Sequence, residues 1–355
     1  VAVTSTATEI NTLDGVTAGT ISASKAVIVD SNKDISGFRN ITGTGNLTVD
    51  GGTVKLDGNY PVGTDNVALG NTALDSVEAG GINNVAIGDN AGTAITTGDH
   101  NTAVGKDALL SNTTASNNTA VGIESLMCNT TGTANLALGA YAMCKNTTAN
   151  NNTAVGAAAL LANTTGANNT GVGKDSLIAN TTGANNVAVG YLSLDANTTG
   201  ATNVAMGRGS LGANTTGSCN VAIGDLALVA ATTVSQNTAI GVLSMTATTS
   251  GIRNTAVGRQ SMCANTTGCC NVAMGSNALA SGTTGDFNVA VGGAALGSVN
   301  TGNCNTAIGA CAMNTNTSGA NNTAVGKDSL LANTTGVNNV AVGKDSLKTN
   351  TTASG

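Results

Sequence analysis

The chain has 355 residues, a net charge of −6 and 9% charged residues, so it offers no basic surface for nucleic acid. It has no Trp, 2 Phe and 3 Tyr, which excludes an ordinary globular core, and its 41% apolar residues exclude the composition of a disordered chain. Polar residues interrupt every apolar stretch well before the ~20 residues of a membrane span, so no membrane insertion is expected.

Residues 1–60 do not repeat, and their pattern predicts a small β-rich module. Residues 6–9 have the spacing of a helix capping box, which predicts a short helix before Asp14-Gly15. Short β-prone runs separated by turn residues follow as far as Leu56. We therefore expect two domains, residues 1–60 and residues 61–355. Because the chain begins with Val1 and not with Met, we expect it to be part of a longer protein.

The second domain is built from one repeated pentapeptide. Asn101-Thr102-Ala103-Val104-Gly105 returns in similar form along the rest of the chain. Its glycine falls at 70, 88, 105, 122, 139, 156, 173, 190, 207, 224, 241, 258, 275, 292, 309, 326 and 343. The first interval is one residue longer than the others, which all have the same 17-residue length. A fixed period of this kind predicts a solenoid, in which each repeat forms one coil. We number positions within a coil from this glycine as position 0.

The pattern within a coil predicts two strands and a turn. Position −4 is always Asn, position −2 is Ala in all coils but one, and position −1 is Val, Ile, Leu or Met. This alternation predicts a β-strand, and we assign its β-branched residues to the core. The extra residue of the first interval is expected near residues 78–81. A second short strand is expected at positions +3 and +4, where Leu turns inward, and Asn-Thr-Thr-Gly at +7 to +10 predicts a turn. That turn sequence degrades near residues 231, 248 and 299, which we expect to change only the turn surface.

The invariant asparagines and glycines are the candidate site residues, with structural roles. Stacked side-chain amides at position −4 predict a hydrogen-bonded ladder, and the glycine at position 0 predicts a corner. Sugar binding by the asparagines is the alternative. The ladder residues are Asn84, Asn101, Asn118, Asn135, Asn152, Asn169, Asn186, Asn203, Asn220, Asn237, Asn254, Asn271, Asn288, Asn305, Asn322 and Asn339. The corner glycines are Gly88, Gly105, Gly122, Gly139, Gly156, Gly173 and Gly190.

No motif in the sequence predicts catalysis, a cofactor or a metal site. The single histidine, His100, has no partner as a base, and the eight cysteines are expected to be free, buried thiols. Lys-Asp pairs at positions +1 and +2 predict a solvated edge, with cross-coil ion pairs between Lys327-Asp328 and Lys344-Asp345. The Asn-Thr-Thr triplets also match the glycosylation sequon. We therefore expect that the protein is not an enzyme.

The repeat resembles those of two groups of fibrous proteins. The sequence Asn-Thr-Ala-Val-Gly-x-x-Ala-Leu-x-x-Asn-Thr-Thr-Gly, clear at Asn101–Thr114, Asn152–Gly166 and Asn322–Gly336, resembles bacteriophage tail-fibre repeats. Its Asn-x-Ala-[Val/Ile]-Gly core is similar to head repeats of trimeric autotransporter adhesins. Residues 4–16 resemble segments of tail-fibre or tail-associated proteins of marine phages. The resemblance implies a left-handed parallel β-roll and a homotrimer.

Together these observations predict an all-β parallel β-solenoid of about 17 coils, each formed by one 17-residue repeat, in a homotrimeric fibre. The expected function is the shaft of a phage tail fibre that supports host attachment. Its partners would be other copies of itself, other tail proteins and a host receptor, either a glycan or a protein. Its location would be the virion tail, assembled in the host cytoplasm. One alternative is a bacterial surface adhesin or extracellular filament, and another is an ice-binding solenoid with regular Thr arrays.

Overall fold

The computed structural model describes residues 64–355 apart from Ala79 and Val299, so the expectations for residues 1–60 lie outside the described residues. This part is all-β, with seventeen three-residue strands and no helix among its residues. The strands are β1 Val67–Leu69, β2 Val85–Ile87, β3 Thr102–Val104, β4 Thr119–Val121, β5 Leu136–Leu138, β6 Thr153–Val155, β7 Thr170–Val172, β8 Val187–Val189, β9 Val204–Met206, β10 Val221–Ile223, β11 Thr238–Ile240, β12 Thr255–Val257, β13 Val272–Met274, β14 Val289–Val291, β15 Thr306–Ile308, β16 Thr323–Val325 and β17 Val340–Val342.

Each strand pairs in parallel with the strand of the next coil, and together they form one seventeen-stranded sheet. The register joins equal positions, so that Thr102 pairs with Thr119 and Ala103 with Ala120. Pairing continues through the coils with degraded turns, from β10 to β15. The predicted parallel β-solenoid is confirmed. At about 4.8 Å between neighbouring strands, its sixteen steps give a rod roughly 75 Å long.

The interior contains alanine and not the β-branched residues. Ala120 is fully buried, whereas Thr119 and Val121 on either side of it remain partly exposed. The assignment of position −1 to the core is therefore wrong. Leucine at position +4 explains why: a Cβ placed at Gly171, the one glycine at position −2, would lie 3.4 Å from Leu160 Cγ. Because the leucines fill the narrow interior, only a small residue fits opposite them.

Positions +1 to +6 form a turn, so the predicted second strand is wrong. Asp107 and Leu109, at positions +2 and +4, have φ values of 57° and 51°. This left-handed conformation is costly for β-branched residues and incompatible with a strand. Position +4 is Leu, Met or Gly in every coil and is never a β-branched residue. This absence of β-branched residues is the sequence signal that distinguishes position +4 from a strand position. Leu109 is nevertheless fully buried, because the turn directs its side chain into the solenoid.

The glycine at position 0 is required by both backbone conformation and space. Gly105 has a φ of 131°, and a Cβ there would lie 2.6 Å from the carbonyl oxygen of Gly122 in the next coil. No other residue type meets both conditions without moving the coils apart. Each coil therefore bends at this position.

The extra residue of the first coil lies where the sequence predicted it. The Glu78 N–H donates to the Thr96 carbonyl, one residue beyond the usual step to the next coil. The Ile82 N–H donates to Asp99 Oδ1, which is already at the usual 17-residue step. The register thus changes between residues 78 and 82, and all later coils keep the same spacing.

Candidate functional site

The candidate site is the outer face of the sheet, formed by positions −3 and −1 of β1 to β17. We call this surface the outer apolar strip. Position −3 is Thr, Val or Leu and position −1 is Val, Ile, Leu or Met, so no charged residue lies in the strip. Leu138, Met206 and Met274 remain 44%, 39% and 43% exposed even though strands pair on both sides of them. Position −1 is apolar in every coil and position −3 varies between Thr and apolar residues, so the strip is an uncharged, largely apolar surface of the kind typical of a protein interface.

The asparagines of position −4 face the interior and are hydrogen-bonded within the chain. Asn101 Oδ1 accepts from the Asn118 N–H at 3.0 Å, and Asn101 Nδ2 donates to the Ala115 carbonyl at 2.9 Å. The same bond recurs along the rod, with the backbone N–H groups of Asn84 to Asn339 each donating to Oδ1 of the asparagine in the preceding coil. The amides chiefly bind backbone groups of the neighbouring coil. Because they are buried, they are not available to bind a sugar.

A second asparagine ladder lies at position +7, where the sequence predicted only a turn. Asn129 Nδ2 donates to Asn112 Oδ1 at 2.8 Å and to the Gly132 carbonyl at 2.9 Å. Both asparagines are fully buried. We call this set the inner asparagine ladder; its residues are Asn112, Asn129, Asn146, Asn163, Asn180, Asn197, Asn214, Asn265, Asn316, Asn333 and Asn350. Asparagine is common in turns, so only its return at the same position of successive repeats could have indicated a ladder.

Burial of this ladder also bears on the glycosylation sequons. The sequon asparagine Asn129 has its Nδ2 on two acceptors and no exposed surface. A sugar cannot be attached to such an amide in the folded chain without removing it from the interior.

The two threonines that follow the position +7 asparagine in the chain have different environments. At position +8, Thr164 Oγ1 donates to the Thr181 carbonyl of the next coil at 3.0 Å, so its hydroxyl joins two coils. At position +9, Thr165 is exposed. Position +9 is Thr or Ser in every coil from residue 97 onward, which forms a single file of hydroxyls along the turn edge.

Charged side chains lie on the edge formed by positions +1 and +2. Lys327 Nζ lies 2.8 Å from Asp328 of its own coil, and Lys344 is likewise paired with Asp345 at 3.7 Å. The predicted cross-coil ion pairs between Lys327-Asp328 and Lys344-Asp345 are therefore wrong, because each lysine pairs with the aspartate of its own coil. The cross-coil pairs are made by Lys348 with Asp328 at 3.7 Å, and by other residues such as Arg208 with Asp225, whose two bonds measure 2.8 Å.

The cysteines are free but mostly not buried, which corrects the expectation from the sequence. Only Cys144 is buried, whereas Cys219 and Cys304 are exposed. Burial, together with the neighbouring Cys128, raises the pKa of the Cys144 thiol to about 11. The Cys128 N–H donates to the Cys144 carbonyl at 3.0 Å, so these two cysteines lie on adjacent coils.

Position −5 is an exposed edge whose composition changes along the rod. Its residues have positive φ, and Asn is the commonest among them. In the coils from residue 202 to residue 304, no asparagine occupies position −5. One of the residues that replace it, Phe287, is 61% exposed. In the same stretch Arg253 Nε donates to Gln236 Oε1 at 3.1 Å. His100, at this position in an earlier coil, lies 3.4 Å from Asn83 Nδ2.

Among the described residues, no three His, Cys, Asp or Glu side chains are grouped so as to hold a metal ion. Within the same part of the chain, no helix has the length and hydropathy to cross a membrane. The sequence matches no protein-family profile, and a search of curated proteins finds no relative.

Proposed function

We propose that this chain is the shaft of a homotrimeric fibre in which the outer apolar strips of three copies pack together around a threefold axis. The observation that carries the proposal is the strip itself, which is uncharged and partly exposed along all seventeen strands. Burying apolar surface is the main driving force of stable association. Because each coil contributes the same two positions, the stabilisation increases with the number of coils.

The fibre we propose is a bacteriophage tail fibre. Its repeats resemble those of tail fibres, and a parallel solenoid about 75 Å long is a suitable rigid spacer. The shaft would join other tail proteins to a part that contacts a host glycan or surface protein. In this proposal the chain assembles in the host cytoplasm and belongs to the virion tail.

A bacterial surface adhesin or extracellular filament is the alternative, because the same trimeric rod could be anchored to a cell. Immunogold electron microscopy with antibodies against residues 64–355 separates the two. Labelling of phage tails in a lysate supports the tail fibre, whereas labelling of intact bacterial surfaces supports the adhesin.

The assembly is tested by placing charges in the strip. The paired substitution Val172→Glu and Val189→Glu puts two carboxylates at position −1 of adjacent coils, where they would be buried between copies. We expect the unsubstituted chain to have the mass of a trimer by light scattering and the variant to have that of a monomer at the same concentration.

The matched control is Thr165→Glu with Thr182→Glu, which places the same charges on adjacent coils at the exposed position +9. This control should remain trimeric. A monomeric unsubstituted chain would contradict the proposed assembly. A trimer that persists in the strip variant would place the interface elsewhere on the rod.

The ice-binding alternative depends on the file of hydroxyls at position +9. That file is one residue wide, and position −3 alternates irregularly between Thr and Val. A thermal hysteresis measurement on the purified protein tests this alternative directly, and we expect no hysteresis.

A further inference from the structure

The outer apolar strip is not uniform, because its residues vary along the rod with a period of four coils. At position −1 a long unbranched side chain recurs in every fourth strand, in β1, β5, β9 and β13. These residues are Leu69, Leu138, Met206 and Met274. The remaining strands have Val or Ile at this position. Successive long side chains are therefore four strand spacings, or roughly 19 Å, apart along the rod.

Position −3 has the same period in the same phase. The first strand of each four-coil unit is apolar there, with Val67, Leu136, Val204, Val272 and Val340. The third strand of each unit has Thr, with Thr102, Thr170, Thr238 and Thr306. The second and fourth strands have Val and Thr respectively, except that β6 and β8 have them exchanged. Each unit thus begins with a coil that is apolar at both positions of the strip.

The four-coil period also marks a buried position of the coil. At position +3 the second coil of every unit has a fully buried alanine and the fourth has a fully buried serine. The alanines are Ala91, Ala159, Ala227 and Ala295, and the serines are Ser125, Ser193, Ser261 and Ser329. The period at this interior position shows that four coils form one unit of the sequence.

The charged edge of the rod does not follow the period. At position +1 the first coils of the units carry Asn71, Ala140, Arg208 and Ser276, which share neither charge nor size. Position +7 does not follow it either, since Ala231 and Thr248 replace asparagine in adjacent coils. Both are fully buried, so the sequence change that we assigned to the turn surface is a change in the interior.

The strip therefore varies in the manner of a buried position although it is exposed in the single chain. Leu69 and Leu138 are 48% and 44% exposed, whereas the valines of the strip from β3 to β16 are only partly exposed. Seventeen strands about 4.8 Å apart and about 10 Å long give a face of roughly 800 Å², the area that a stable interface requires of each partner. A partner that covers this face must itself repeat every four coils, and a second copy of this chain does.

We propose that the four-coil pattern selects the partner of the strip: a copy of this chain that runs parallel to it at the same height. This inference rests on the association of strips in the proposed function. Closed rotational symmetry around an axis parallel to the rod brings equal positions of all copies to the same height. The three Leu138 side chains then form one wide layer between the copies, and the layers of Val and Ile above and below it are narrower.

Wide and narrow layers discriminate against a wrong partner in both directions. A copy displaced by one, two or three coils places a valine in a layer built for leucine or methionine, which leaves a cavity. The same displacement places a long side chain in a layer built for valine, which is overpacked. Both mismatches recur in every unit, so their effects add along the rod.

The test is a chain whose pattern is displaced by two coils while its composition stays the same. Its substitutions are Leu138→Val, Val172→Leu, Met206→Ile, Ile240→Met, Met274→Ile and Ile308→Met. The full-length displaced chain is co-expressed with the tagged unsubstituted chain, and the trimers are counted by native mass spectrometry. Random association would make about three quarters of the trimers mixed, and we expect fewer than about one tenth.

The matched control changes the same three wide layers without moving them. Leu138→Met, Met206→Leu and Met274→Leu exchange long side chains of similar volume, which cores tolerate well. This chain should mix with the tagged unsubstituted chain as freely as the untagged unsubstituted chain does. Mixing that is equally poor in the control and in the displaced chain would overturn the inference.

The remaining outcomes separate this inference from the proposed function. Random mixing of the displaced chain overturns the four-coil selection and leaves the trimer in place. A displaced chain that folds but is monomeric alone also overturns it, because that chain contains the same layers. An unsubstituted chain that is monomeric overturns the proposed assembly and this inference with it. If circular dichroism shows that the displaced chain does not fold, Met206→Ile with Ile240→Met replaces it, and at least about a threefold loss of mixed trimers is expected.

Discussion

Left-handed backbone positions set the residue preferences of every coil. Positions −5, +2 and +4 have φ values near 50° to 60°, and Asn adopts this conformation more readily than other non-glycine residues. Asn185 at position −5 is an example, with a φ of 59°. Phe287 adopts the same conformation at 57° while its ring is largely exposed, so its coil gives up local stability at this residue.

We therefore expect Phe287→Asn to stabilise the protein by about 0.5 to 1 kcal/mol, because the backbone strain falls and little packing is lost. The measurement is the shift in melting temperature at fixed protein concentration. The reciprocal variant Asn185→Phe should destabilise the protein by a similar amount. Destabilisation by Phe287→Asn would show instead that the ring makes contacts that outweigh the strain.

Individual residues also decide which side of the strand faces the interior of the solenoid. The sequence alternation correctly predicts that Ala103 and Val104 face opposite sides. It does not say which side is the interior, because valine is the better core residue on hydropathy alone. The turn residue Leu109 decides it, since its buried side chain leaves room only for alanine on the strand.

At the scale of an element, each rung of the inner asparagine ladder joins three coils. Asn163 Nδ2 donates to Asn146 Oδ1 at 3.0 Å, and Asn163 Oδ1 accepts from Asn180 Nδ2 at 2.8 Å. We expect Asn163→Ala to destabilise the protein by about 2 to 4 kcal/mol, since it removes the donor to the buried Asn146 Oδ1 and one of the two acceptors of Asn180 Nδ2. Denaturant unfolding and amide hydrogen exchange in the adjacent coils measure this effect.

The exposed neighbour Thr165 supplies the control for that rung. Thr165→Ala should change stability by less than about 0.5 kcal/mol, as expected for a surface site. Equal effects of the two substitutions would mean that the ladder adds little to stability. The natural Ala231, Thr248 and Gly282 show that asparagine rungs can be lost while β10 to β15 remain paired.

For the whole molecule, the small number of ionisable groups predicts a nearly flat stability between pH 5 and 8. A hydrogen bond from Lys106 lowers the pKa of Asp107, and a hydrogen bond from Lys327 lowers that of Asp328. A carboxyl group with a lowered folded-state pKa adds stability above its unfolded pKa, about 3.9. That stability is lost as the pH falls through the folded value, so the loss begins below about pH 4.

The measurement is a series of melting temperatures from pH 2 to pH 8. The drop below about pH 4 should be smaller in Asp328→Asn, because the neutral amide does not titrate. An equal drop in this variant would assign the acid sensitivity to other carboxyl groups.

The sequence by itself determined the period, the strand, the parallel register and the number of coils. This was possible because the same 17-residue pattern repeats and each repeat must occupy the same place in its coil. The extra residue near Gly81 could be placed for the same reason. The tertiary structure alone decided that Ala at −2, and not the β-branched residues, lies inside, and that a second set of asparagines, at +7, is buried there. A side chain such as Asn163 has the same local preference in a turn as in a ladder, and only the coil stacked above it provides the partner that makes its burial favourable.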